Sequence, residues 1–270
     1  MILMGKVAIV TGAGSGIGRA GATIIAREGA YVVITDRNLT SAEQTADMIR
    51  STGGKCEAVA LDVTDDKAIQ ALVEDVVTRH GKIDILHNHA GIQVAGSIED
   101  VSAEDFDKSW AVNVHAQYVG CKAAIPFMKK QGGGVILNTS SNSGMFLDRE
   151  MVAYITSKSA VITMTKQIAL DVARYGIRVN ALCPGWVDTP FNGPYTEQLG
   201  GREALEFAIS NIVPIGRFAT TDEIAETILF LVSDRSSYVT GHALIADGGE
   251  SLAGGTNSGD QPNALQLSPV

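Results

Sequence analysis

Short apolar-rich runs recur along the chain at positions 7–10, 31–35, 57–61, 83–87, 135–138, 178–182 and Ala243–Ala246. Between them lie longer stretches whose apolar positions return every three to four residues, beginning with 19–27 and 41–51. Runs too short for helices, alternating with helical periodicity, predict βαβ units and a parallel sheet. The expected architecture is a doubly wound α/β domain over residues 1–252, seven strands in a three-layer αβα arrangement. A Pro- and Gly-punctuated insertion at 188–215 breaks the rhythm after the sixth strand and holds one helical pattern, Arg202–Ile212. Beside a ligand edge it is expected to act as a substrate lid. Residues 253–270 are rich in Gly, Asn, Ser and Pro and are expected to form a flexible tail.

Composition narrows the class. A length of 270 residues is near the upper limit of one hydrophobic core, and 45% hydrophobic with 19% charged residues is ordinary for a globular protein. No apolar run approaches the roughly 20 residues of a membrane span. The first residues carry neither a basic leader nor a small-residue cleavage site, so the cytoplasm is expected. Cys56, Cys121 and Cys183 are far apart and lack C-x-x-C spacing, which predicts reduced thiols rather than a disulfide framework or a zinc site. A net charge of −9 without a block of Lys and Arg argues against nucleic acid or an anionic membrane as partner. A small molecule is the expected ligand.

Almost every expected strand ends in small or polar residues: Thr11-Gly12, Asp36, Asp62, Asn88, Ser140-Ser141 and Pro184-Gly185. In a parallel sheet these ends share the edge where ligands bind. After the first strand the chain reads Thr11-Gly12-Ala13-Gly14-Ser15-Gly16-Ile17-Gly18, with a helix expected from Arg19. The spacing is G-x-x-x-G-x-G, anchored by Gly12, Gly16 and Gly18, rather than G-x-G-x-x-G. Such a turn lets the backbone approach a pyrophosphate seated on the free N–H groups of the helix, as in a Rossmann-type fold. Asp36, eighteen residues past Gly18, can accept from the adenosine ribose hydroxyls and would repel a 2′-phosphate. Arg37 could pair with that phosphate, or with Asp36 or solvent. The balance points to NAD over NADP.

Tyr154 and Lys158 stand four apart in a segment expected to be helical over 151–175, which puts them on one face. An ammonium beside a phenol favours the phenolate and is expected to lower the tyrosine pKa from about 10 toward that of a working base. With six tyrosines in the chain, about 0.2 such pairs are expected by chance. Tyr118 and Lys122 form a second pair. Position separates the two: Ser141, at a strand end, lies thirteen residues before Tyr154, whereas Asp105, in an expected helix, lies thirteen before Tyr118. A packed helix at a subunit contact is the expected role of Tyr118 and Lys122.

Together these residues resemble the short-chain dehydrogenase/reductase family, from about Lys6 to Gly249, through Thr11 to Gly18, Asp62-Val63, Asn88-His89-Ala90-Gly91, Asn113, Ser141, Tyr154 with Lys158, and Pro184-Gly185-Trp186-Val187-Asp188-Thr189. The resemblance implies an NAD-dependent oxidoreductase interconverting secondary alcohols and ketones. It implies that Tyr154 is the acid/base, that Ser141 hydrogen-bonds the substrate oxygen, and that Lys158 holds the nicotinamide ribose. By the same resemblance Asn113 holds a water linking Lys158 to solvent. Gly12, Ser15, Gly16, Ile17, Gly18, Asp36, Arg37, Asp62, Val63, Asn88, Ala90 and Gly91 then face the cofactor with Tyr154 and Lys158, and so do Pro184, Gly185, Val187 and Thr189 toward the nicotinamide carboxamide. A homotetramer is implied too.

The family's usual Asn-Asn-Ala-Gly is here Asn88-His89-Ala90-Gly91. His87 and His89 are expected on opposite faces of their strand, and His89 to be an ordinary packed residue, with a small pH dependence of cofactor binding as the other reading. Gln93, Ser143, Met145, Phe146, Arg149, Phe191 and Tyr195 are candidate pocket residues, a mixed apolar set suited to a hydrophobic or alicyclic secondary alcohol. The resemblance also permits a β-ketoacyl carrier-protein reductase using NADPH, against which Asp36 and the acidic balance weigh. A dinucleotide-binding regulator without catalysis has no need of Ser141, Tyr154 and Lys158 together.

Overall fold

A computed structural model describes residues 1–253; the expected flexible tail lies almost wholly outside the described residues. All seven expected strands are present: β1 (Val7–Thr11), β2 (Tyr31–Asp36), β3 (Lys55–Ala60), β4 (Ile85–Asn88), β5 (Gly134–Thr139), β6 (Ile177–Pro184) and β7 (Ala243–Ala246). They pair in parallel as one sheet of order β3-β2-β1-β4-β5-β6-β7. The winding reverses between β1 and β4, and that switch point opens a crevice at the carboxyl ends of the strands.

The helices are α1 (Gly16–Arg27), α2 (Leu39–Ser51), α3 (Asp66–His80), α4 (Ala103–Trp110), α5 (Ala116–Gln131), α6 (Val152–Val172), α7 (Gly193–Gln198), α8 (Arg202–Ile212) and α9 (Thr221–Val232). Among the described residues no helix is long and apolar enough to cross a membrane. Side-chain alternation along the strands explains the three layers. Ala8, Val10, Ile34 and Leu137 pack with Ile25 of α1 and Ile228 of α9 on one face. Ile9, Val33, Leu86 and Ile136 pack with Val76 of α3, Met128 of α5 and Ala169 of α6 on the other.

Several helix ends are closed by their own side chains. Asp65 accepts from the backbone N–H groups of Lys67 and Ala68 at the start of α3, and Thr220 with Glu223 makes a capping box on α9. α1 differs from these two. Ser15 occupies its N-cap without a side-chain bond, and its first turn carries no acid. It also begins at Gly16, three residues before the expected start.

α4 and α5 are joined by a π-helical turn, Ala111–His115, so one bent helix runs past the crevice. The insertion at 188–215 folds as a 3₁₀ turn, Pro190–Asn192, followed by α7 and the expected α8. A small core joins its Tyr195, Leu205, Ile209 and Val213 to Phe218 just beyond it.

Buried amides lock the central strands under the crevice. Asn138, fully buried on β5, accepts from Asn88 Nδ2 at 2.9 Å and donates to Thr165 Oγ1 of α6 at 3.0 Å. Removing it strands two buried polar groups, each costing the desolvation of an unmade bond. Asn138→Ala is therefore expected to lose about 2–3 kcal/mol in urea unfolding, well beyond the change at an exposed asparagine.

Candidate active site

The glycine turn forms one wall of the crevice. Gly12 and Gly16 adopt φ of 64° and 52°, and a Cβ on Gly12 would stand 2.8 Å from Ala90 Cα. The turn thus needs glycine both for its conformation and for close approach. The backbone N–H groups opening α1 remain free of any capping side chain, a cradle suited to a pyrophosphate. Gly18 plays a different part: it is buried behind the turn, where a Cβ would lie 2.3 Å from the Gly12 carbonyl and 2.6 Å from His89 Cδ2.

On the adenosine side, Asp36 ends β2 and accepts from Gly14 N at 3.0 Å and Asn38 N at 2.9 Å. Asp62 accepts from the Thr64 N–H at 2.9 Å and its hydroxyl at 2.7 Å. Those bonds, with a smaller contribution from Arg37, hold its carboxyl below the usual carboxylate range. Arg37 is exposed, and its charge thus reaches Asp62 across the cleft mouth.

The far end of the same cleft, of about 660 Å³, is lined by Ser141, Tyr154 and Lys158. Pro184, Gly185, Val187 and Thr189 close it from β6 and the loop beyond. Ser15, Ile17, Val63, Ala90 and Gly91 also line it. Sheet and helix grip each other here: Ser140 Oγ donates to the Lys158 carbonyl at 2.7 Å, and Lys158 Nζ donates to the Thr139 carbonyl at 3.1 Å. Tyr118 and Lys122 sit away from this wall, Tyr118 being 45% exposed on α5.

The ionisation of the pair differs from the sequence expectation. Burial pushes the Tyr154 phenol up to about 12, while the Ser141 hydroxyl beside it pulls weakly the other way. Burial also pushes the Lys158 amine down to about 8. The ammonium lies 5.5 Å from the Tyr154 ring centroid and is bonded to a carbonyl, so it does not offset the cost of a buried phenolate.

Two further expectations are corrected. Asn88 does not face the cleft; it is 3% exposed and turned into the sheet toward Asn138 and the Gln117 carbonyl. His89 lines the cleft in its place. His87 and His89 share one side, since residues two apart on a strand point the same way. Their ring centroids are 5.4 Å apart, and Thr139 Oγ1 lies 3.0 Å from His87 Nε2 and 3.3 Å from His89 Nδ1. Among the described residues no group of three or more His, Cys, Asp or Glu is placed to hold a metal.

Asn113, fully buried in the π-helical turn, does not line the cleft. Its side chain clasps the backbone of Ile92, accepting at 2.8 Å and donating at 2.9 Å, and donates to Ser157 Oγ at 3.0 Å. Of the candidate pocket residues, the Phe191 ring lies tilted with its centroid 6.4 Å from that of Tyr154, Gln93 donates to the Tyr195 hydroxyl, and Ser143 N donates to Ser141 Oγ at 3.2 Å. Phe146 is half-buried, whereas Met145 and Arg149 are exposed. Lys108 and Val112 reach the cleft from the bent helix without any motif to mark them.

A parallel sheet with a glycine turn at its switch point defines a Rossmann-type dinucleotide-binding fold. A family model described as enoyl-(acyl carrier protein) reductase matches residues 12–251. The 3-oxoacyl-[acyl-carrier-protein] reductase of Thermotoga maritima is 41% identical over 249 residues, covering 92% of this chain and 99% of its own. Among solved structures, a 7α-hydroxysteroid dehydrogenase complexed with NADH and 7-oxo glycochenodeoxycholic acid matches at TM-score 0.85 and 34% identity, over 92% of this chain and 94% of that one. A gluconate 5-dehydrogenase of Burkholderia cenocepacia in complex with NADP and tartrate matches at TM-score 0.85 and 32% identity, over 92% and 96%. The chain belongs to the short-chain dehydrogenase/reductase family, and is an oxidoreductase of the class acting on CH–OH groups.

The two histidines make stability depend on pH. Burial pushes His89 down to about 4, with the Lys158 charge adding to it, and pushes His87 well below its ordinary value. The unfolded chain binds the His89 proton near 6.5 and the folded chain only near 4, with His87 shifted in the same direction, so stability is full above 6.5 and is lost as pH falls toward 4. His89 alone is expected to cost about 3 kcal/mol over that window. Urea unfolding at pH 6.5 and 4.5 measures it, and His89→Asn is expected to reduce the difference to what His87 contributes.

Proposed function

We propose that the protein is an NAD-dependent dehydrogenase or ketone reductase that moves one hydride and one proton between the cofactor and a secondary alcohol or ketone. The observation that carries this reading is the meeting of Ser141, Tyr154 and Lys158 with the glycine turn in one cleft. The cradle at the start of α1 fits the pyrophosphate. The nicotinamide ring supplies the hydride chemistry when bound.

This chain's own residues handle the oxygen. Ser141 donates to the substrate oxygen, which carries developing charge in the transition state. Tyr154 gives its proton to that oxygen in reduction and takes it back in oxidation. Lys158, held by the Thr139 carbonyl, orients the nicotinamide ribose and keeps positive charge close to Tyr154. Asn113 fixes the Ile92 backbone next to Gly91, where a Cβ would stand 3.3 Å from Lys158 Nζ.

NAD is favoured over NADP because Asp36 sits at the tip of β2, where its carboxylate would meet the adenosine ribose hydroxyls and repel a 2′-phosphate. Phe191 beside Tyr154 suits a hydrophobic or alicyclic substrate, over which residues 188–215 close as a lid. Three free cysteines accord with a cytoplasmic location, and the exposed Tyr118 face of α5 with packing in a homotetramer.

A screen of secondary alcohols and sugar alcohols with NAD and NADP in parallel tests this reading. Tyr154→Phe is expected to lower kcat by about 10³-fold while leaving the NAD Kd within about twofold. Asp36→Ala is expected to weaken NAD by about tenfold and to narrow its preference over NADP, read by calorimetry. A 3-oxoacyl thioester turned over only with NADPH would instead favour the function of the Thermotoga maritima relative.

A further inference from the structure

Beyond β7 the chain turns back and buries a carboxyl group beneath the catalytic serine. Glu250 opens the 3₁₀ turn Glu250–Leu252, lies 108 residues from Asn142, and is 3% exposed. One carboxylate oxygen accepts from Asn142 Nδ2 at 2.7 Å, the other from the Trp186 indole N–H at 3.1 Å. Asn142 is itself 4% exposed, and its Oδ1 accepts the Ser141 hydroxyl at 3.2 Å. The chain of bonds runs without a break from Glu250 to the serine assigned to the substrate oxygen.

We propose that Glu250 is a positioning residue for Ser141, deciding through Asn142 whether the serine hydroxyl points at its neighbour or at the oxygen of the reacting alcohol or ketone. This rests on the role given to Ser141 above.

Donor and acceptor rules dictate the two states. An ionised carboxylate only accepts, so Asn142 must turn its NH₂ to Glu250 and its carbonyl oxygen to Ser141. The serine proton is then held on Asn142. A protonated Glu250 still faces Trp186, which only donates, so its carbonyl oxygen stays on the indole and its O–H faces Asn142. Asn142 answers by turning its amide over, now donating Nδ2–H to Ser141 Oγ. The serine proton is released toward the substrate. Only the proton on Glu250 changes between the states, and no atom leaves the network.

The titration falls in an accessible range. Burial pushes Glu250 up to about 7 against the pull of Asn142 and Trp186. The titratable groups facing it are Asp148 from the loop before α6, Asp247 from the turn after β7, and Tyr195 from α7. Both aspartates raise it further. Tyr154, up at about 12, and His89, down at about 4, do not titrate nearby. Lys158, at about 8, does.

Glutamine at this position copies the protonated state at every pH, because the Trp186 N–H selects its carbonyl oxygen and leaves its NH₂ for Asn142. The test is the pH profile of kcat/KM for ketone reduction from 5.5 to 9 in wild type, Glu250→Gln and Asn142→Ala. Wild type is expected to fall about tenfold as pH rises through an inflection near 7, where Glu250 gives up its proton and the Ser141 hydroxyl turns from the substrate oxygen to Asn142. Glu250→Gln is expected to lose that inflection, keep the later limb from Lys158, and exceed wild type at pH 8. Asn142→Ala is expected to lose the inflection at a lower overall rate.

Retention of the inflection in Glu250→Gln, or a uniform loss of rate at all pH values, would overturn the proposal. The side-chain amide NMR signals of Asn142 give a reading independent of turnover. They are expected to shift with the same inflection in wild type and to stay at their low-pH positions in Glu250→Gln. Signals that do not move with pH refute the positioning role; moving signals in a protein without turnover would refute the functional reading alone.

Discussion

The cleft hangs on the last residue of β5. The Thr139 carbonyl takes the Lys158 ammonium and the Gln117 amide, each at 3.1 Å, while its hydroxyl sits between two imidazoles. Thr139 is itself in register with Leu182 of β6, so Lys158 is located by strand pairing as much as by its own helix. Ser140 adds the reverse bond to the Lys158 carbonyl, and Ser141 follows as the next residue. Three successive positions of one strand end therefore set the distance between serine, tyrosine and lysine. Geometry carried by a buried sheet tolerates less drift than geometry carried by loops.

Burial pushes five ionisable groups in this neighbourhood toward their neutral forms. The phenol of Tyr154 and the carboxyl of Glu250 are pushed up, and the amine of Lys158 and both imidazoles are pushed down. Lys158 on the cleft floor and Glu250 beneath it are consequently brought close to neutrality, where each can respond to a ligand's charge by gaining or losing a proton. At the wet rim stand Asp36, Arg37, Asp62 and Lys108, and hydrogen bonds from the Thr64 N–H and hydroxyl hold the Asp62 carboxyl below its ordinary range. The two ends of the cleft thus differ in chemistry because they differ in access to water.

Much of this was legible in the sequence, for physical reasons that also explain the gaps. The strands were readable because a parallel sheet buries both faces and writes each strand as an apolar run. Ser141, Tyr154 and Lys158 were readable because helical spacing and a strand end place them locally. Asn88 was misjudged because a polar residue at a strand end can face the ligand or the sheet, and only Asn138 across the strand decides. The shared side of His87 and His89 followed from strand geometry and was misjudged nonetheless. The direction of the Tyr154 shift depended on where Lys158 spends its hydrogen bond, on a carbonyl contributed by another element. Glu250 was invisible because its partner Asn142 is remote in sequence and neither belongs to a motif.

The π-helical turn between α4 and α5 carries a different lesson, about phase. One extra residue within Ala111–His115 lets Asn113 point inward at the Ile92 backbone while the flanking segments each keep their own buried face. Loss of that extra residue would return the turn to α-helical spacing and leave the faces of α4 and α5 in phase, but it would remove the bulge that aims Asn113 at Ile92. A substitution that kept the residue yet straightened the turn would instead rotate everything after it by about 100°, carrying Met128 out of the core. The number of residues in that turn and its π-helical form are therefore bound to each other.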